Sequence, residues 1–159
     1  MKRAALALAL ACGTSGSGRP FDGPDLAVGS ISFHLASGAA VSGSPLKLVL
    51  SDQPDTCQAL QHVSVQRSTT LSLKVLPAAD GTTRATVVAK SAPGAGEATG
   101  ALAQATGGVE GARYLAADGV VAWAAGGGGT TTITALDVGF AGASGRIALA
   151  TPVTVPACP

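Results

Sequence analysis

Apolar residues recur with period two along much of this chain, most cleanly at Leu46, Leu48 and Leu50 and again at Leu71, Leu73 and Val75. Successive side chains of an extended strand point to opposite faces, so such alternation buries one face and leaves the other, here Ser72 and Lys74, to solvent. A helix would scatter the same residues around its circumference. Less regular versions of the pattern run over 26–35, 85–89, 120–123, 133–138 and 147–149. Between them lie turn formers: Ser42-Gly43-Ser44-Pro45, Ala79-Asp80-Gly81, Asp118-Gly119 and the glycine-containing stretch 142–145. The expected fold is all-β, an antiparallel β-sandwich of about six to eight short strands with one short helix. Asp118-Gly119 suits a type I′ turn, which predicts a hairpin pairing 113–117 with 120–124.

The one segment that breaks the alternation is Asp52-Gln53-Pro54-Asp55-Thr56-Cys57-Gln58-Ala59-Leu60-Gln61. A capping Asp52, a proline in the first turn and Asp55 near the positive end of the helix dipole predict the short helix here. The Gly-, Ala- and Thr-rich stretch 91–111 and the glycine run 126–129 are expected to be long loops. With 159 residues the chain is one domain in size. Its charged fraction of 12 % is half the usual share, and 10 Lys and Arg balance 9 Asp and Glu without clustering in sequence. That removes the counterion-release drive of a nucleic-acid binder, so no nucleic-acid partner is expected.

Met1-Lys2-Arg3, the apolar run 4–11 and Cys12 have the layout of an export signal, with a cationic start, a short apolar stretch and small residues before a cut. The run is too short to cross a bilayer as a helix. Ala9-Leu10-Ala11-Cys12 resembles the lipobox of bacterial lipoproteins, in which cleavage precedes a cysteine that carries diacylglycerol. The resemblance implies a signal peptide over 1–11, lipidation at Cys12, and a bilayer as partner through that anchor. Gly13, where Asp would imply inner-membrane retention, implies an outer-membrane or cell-surface location. The Gly/Ser-rich stretch 12–24 is expected to be a flexible tether, with the β domain over 25–159. Loss of Lys2 and Arg3 would leave eight cations against nine anions.

With Cys12 assigned to lipid, Cys57 and Cys158 remain, and an even remainder in an exported chain predicts one disulfide. Its loop of 101 residues corresponds to about 4.7 kcal/mol of stabilisation in the chain-entropy picture. Pro152 and Pro156 lack ladder donors, so the last residues are expected to trail off the sheet and depend on the bridge. The stretch 48–60, with Leu-Val-Leu-Ser-Asp running into a Cys-bearing helix, is similar to a segment of small lipoproteins of GC-rich bacteria. Its distinctive part is Ser-Asp-x-Pro-Asp-x-Cys. That resemblance implies an exported β-rich domain with a disulfide and brings no activity with it.

His34 and His62 are the only side chains whose ordinary pKa suits general-base work near neutrality, and they stand far apart in sequence. Ser44-Pro45-Leu46-Lys47 has the Ser-x-x-Lys spacing of penicillin-recognising enzymes, yet Lys47 falls in a strand rather than one helical turn on. Gly94-Ala95-Gly96-Glu97-Ala98-Thr99-Gly100 misses the dinucleotide fingerprint by one residue and has no βαβ surroundings. Asp52 and Asp55 could share a cation, though capping explains them better. No metal or cofactor is expected. Trp123 and Tyr114 could form a ligand-binding face that stacks on sugars, or plug the core beside a hairpin. The function expected is a lipid-anchored cell-envelope module with a non-catalytic structural or protein-binding role, its partner an envelope protein or glycan. The alternative is a carbohydrate- or small-ligand-binding module of the bacterial surface, resting on Trp123 and Tyr114.

Overall fold

The structure is a computed structural model that describes residues 21, 23–62 and 67–158; the expected signal segment 1–11 and lipidation site Cys12 lie outside the described residues. It is all-β with one short helix, as the periodicity predicts. In chain order the elements are β1 (Asp25–Val28), β2 (Ile31–His34), β3 (Ser37–Val41), β4 (Leu46–Ser51), α1 (Thr56–Gln61), β5 (Ser68–Val75), β6 (Arg84–Val87), β7 (Glu97–Thr106), β8 (Val109–Ala125), β9 (Thr130–Phe140), β10 (Arg146–Ala148) and β11 (Val153–Cys158). The strands number eleven among the described residues rather than six to eight.

A sandwich keeps its two sheets apart; here the ladder is continuous from β3 through β4, β5, β7, β8, β9 and β11 back to β3. Closure leaves these strands without a free long edge, which is how β proteins avoid edge-to-edge association. β6 is wedged between β7 and β8, and β10 extends along β9 beyond β11. Most pairings are antiparallel, but β11 runs parallel to β3 and β6 parallel to β7. Inside the ring, Leu48, Leu50, Leu71, Leu73, Leu102, Val121, Ile133 and Val138 are each at most 2 % exposed. Each such side chain contributes about 1.5–3 kcal/mol on burial. β1 and β2 form a separate two-stranded sheet that adds Leu26, Val28, Ile31 and Phe33 to the same core.

Several expectations are corrected. Stretch 91–111 is not a loop: β7 and the start of β8 occupy most of it, and β7 is held because Leu102 enters the core and both flanking strands supply ladder partners for its small residues. The turn that follows is Gly107-Gly108, a two-residue connection with φ of 60° and 80° at its two centres, the backbone that a type I′ hairpin demands. Asp118-Gly119 makes no turn, because β8 runs straight through it. On the β9 side Ala116 pairs with Phe140 and Asp118 with Gly139, so Ala117 is the extra residue of a bulge. The glycine run 126–129 does connect strands, but as a short link closing the β8–β9 hairpin.

The chain terminus also differs from expectation, since β11 is a full member of the sheet. Pro156 is the last residue paired to β9, opposite Thr130, and Ala157 is the first paired to β3. The missing N–H therefore falls where the strand passes from one neighbour to the other. At the other end, Phe21 and Gly23 donate to the Ala36 and Leu35 carbonyls, so residues of the expected tether 12–24 are part of the folded structure.

Candidate functional site

The helix sits on the outer face of the sheet, placed by a compact set of polar contacts. Asp55, not Asp52, is its N-cap, accepting from the Gln58 amide at 3.0 Å. Asp52 instead accepts from the Thr69 amide on β5, which leaves Pro54 outside the helix. Ser37 is fully buried; its hydroxyl accepts from the Thr56 amide and bonds the Thr56 hydroxyl at 2.6 Å. The helix start is thereby tied to β3, and Cys57 is turned toward the chain terminus. Cys57 and Cys158 form a disulfide with their Cα atoms 5.5 Å apart. The bond sits at the seam where β11 reaches β3 through only Ala157 and Cys158.

Beside the helix runs a groove of about 580 Å³. Its base is the outward-facing row Val49, Ser51, Thr70 and Ala103, and its walls carry Gln58 and His62 on one side and Glu110 near the β7–β8 turn on the other. Val109 at the tip of that hairpin is 70 % exposed.

Each of the eight described carboxylates is engaged in a structural contact. Asp25 holds His34, Asp52 and Asp55 bond backbone amides around α1, and Asp80 accepts from the Thr82 amide within its turn. Glu97 accepts from Lys90 and the Gly94 amide, which holds its carboxyl below the ordinary value. Glu110 pairs with Arg113, while Asp118 and Asp137 both accept from Arg146. The Arg146 pair ties β10 to the bulge of β8, and Asp137 with Asp118 raises the guanidinium pKa further. Among the described residues no group of three or more His, Cys, Asp or Glu comes together as metal ligands, and no helix is long and apolar enough to cross a membrane.

The two aromatics singled out from the sequence do not form a platform. Trp123 is 6 % exposed and part of the core, so its ring offers no face for stacking. Tyr114 lies half-buried against the β1–β2 turn, where its hydroxyl accepts from the Ser30 amide and bonds the Ser30 hydroxyl at 3.0 Å. Those bonds from Ser30 lower its pKa. A side chain at Gly29 would collide with that phenol, so glycine is required for the latch. His34 on β2 pairs with Asp25 across the small sheet, whereas His62 ends α1; the structure does not bring them together in one contact. Ser44 precedes a cis Pro45 in the β3–β4 turn, and Gly94 and Gly96 form the turn into β7. No family model matches this chain, and no match is found among curated proteins or solved structures.

Proposed function

We propose that the protein is a non-catalytic module of the bacterial cell envelope, anchored by lipid at Cys12, that binds a protein partner along the groove beside α1. The observation that carries this reading is the Cys57–Cys158 bond. Structural disulfides persist in oxidising compartments, which agrees with the export signal and the lipobox resemblance at 9–12. Lipid attachment would give firm anchoring, because a lipoprotein cysteine carries more than one acyl chain and each buried CH₂ contributes about 0.8 kcal/mol. The non-catalytic role is supported by the described carboxylates, all of them committed to caps, turns and ion pairs.

Two measurements test the proposal. A clickable palmitate analogue should label the wild type and spare Cys12→Ser; equal labelling would remove the anchor. A photo-cross-linking residue at Gln58, in the groove wall, should capture one envelope protein that the same probe at Thr82, outside the groove, does not. Identical capture from both positions would contradict binding along α1.

A further inference from the structure

Seven Lys and Arg lie among the described residues, and four of them gather on one outer face of the ring. Lys47 on β4 stands directly opposite Lys74 on β5 in the antiparallel register. Both face outward, since their neighbours Leu48, Leu73 and Val75 enter the core. Lys74, Lys90 and Arg113 then line a second groove of about 580 Å³, with the Ser72 and Thr99 positions beneath and Leu115, 55 % exposed, on one wall.

Partners decide what this face lacks. Lys90 is satisfied by Glu97 and Arg113 by Glu110, whereas Lys47 and Lys74 have no carboxylate partner among the described residues. Like charges directly opposite each other in a ladder are destabilising. Four cations against two carboxylates leave a local excess of two, while the remaining described residues carry three cations and six carboxylates. An otherwise acidic surface thus concentrates two uncompensated ammonium groups beside a groove with an apolar wall. Its volume lies in the range of small-ligand sites, roughly 300–1,000 Å³.

The charge to be matched is two, and a phosphate monoester carries about −1.5 to −2 near neutrality with three acceptor oxygens. We infer that this groove binds a phosphate monoester whose phosphoryl oxygens bridge Lys47 and Lys74 and whose organic body lies toward Arg113 and Leu115. This site is distinct from the groove beside α1 and does not depend on the anchor.

Calorimetric titration of the full chain in non-ionic detergent tests it, with glucose 6-phosphate as probe and glucose as the uncharged control. Saturable binding of the phosphate alone is expected at or below about 10 mM. The double substitution Lys47→Gln/Lys74→Gln should weaken it roughly tenfold or more, the loss of at least one charge-assisted contact, while Arg84→Gln off the patch leaves it unchanged. A soluble short-chain phosphatidic acid separates the sources: tighter binding than glucose 6-phosphate assigns the phosphate to a lipid headgroup, weaker binding to a soluble sugar phosphate. Without ligand, the double variant should melt at or above the wild-type temperature, because the repulsion is relieved. Absent or non-saturable binding, equal affinity in the double variant, or a lowered melting temperature for that variant would overturn the inference.

Discussion

At Gly119 the backbone of β8 meets that of β9 with no room for a side chain. The Asp-Gly pair signals positive φ, and Gly119 does adopt φ +121°, but inside a strand whose bulge presses it against β9. A Cβ there would stand 1.9 Å from the Asp137 carbonyl oxygen. Gly119→Ala should therefore cost more than about 2 kcal/mol in urea unfolding, through backbone strain and collision together. Gly142→Ala, with φ +72° and open space around it, should cost only the strain, about 1–2 kcal/mol. Equal losses would mean the close approach to Asp137 is not the constraint. Glu97 gives a pH signature at the same scale. Its pKa is depressed in the folded state from an ordinary 4.5, chiefly by the Lys90 hydrogen bond and then by the Gly94 amide. Its contribution is thus present above the unfolded value and lost as pH falls through the lower folded one. The protection of the Gly94 amide, taken relative to its intrinsic exchange rate at each pH, should fall as Glu97 protonates across that acid window in the wild type and stay constant there in Glu97→Gln.

At the level of elements, legibility followed side-chain size. Strands built on Leu, Ile and Val announced themselves by alternation: β4, β5, β9 and β10 fall where the pattern places them. β3 and β7 did not, because Ser-Gly-Ala-Ala-Val and Glu-Ala-Thr-Gly-Ala-Leu-Ala-Gln-Ala-Thr carry almost no apolar contrast between faces. Their strand character comes from neighbours: Gly100 sits so close to Ser72 that any side chain would strike its carbonyl oxygen. If β7 is an integral wall of the ring, the amides of Leu102 and Ala103 should exchange only with global unfolding, whereas those at the Gly107-Gly108 turn exchange freely. The helix was legible as an element but shifted, since two candidate caps compete within four residues and only Asp55 lacks a partner across the sheet. Asp55→Ala should cost about 1 kcal/mol by chemical denaturation, with its effect confined to α1.

For the whole molecule, the Cys57–Cys158 pairing was legible from cysteine arithmetic once the lipobox resemblance set Cys12 aside, while ring closure was not, because it depends on pairings such as β11 with β3 between residues more than 100 positions apart. The Lys47–Lys74 juxtaposition was hidden as well, because it exists only once β4 and β5 are in register. The closing seam is short, so the disulfide should matter there most. Cys57→Ala should lower the melting temperature by on the order of 10 °C, the equivalent of a few kcal/mol. It should also expose 153–158 to proteolysis while leaving β4, β5 and β7 paired. The proposed export and lipid anchoring, together with the disulfide, make a single joint demand on the covalent state of the protein. Intact-mass spectrometry of the protein extracted from envelopes in detergent, under non-reducing conditions, tests it most directly. The mass should correspond to a chain beginning at a diacylglycerol-bearing Cys12 and two hydrogens lighter than the dithiol form. A chain still beginning at Met1, or one cut without lipid and carrying two free thiols, would contradict it.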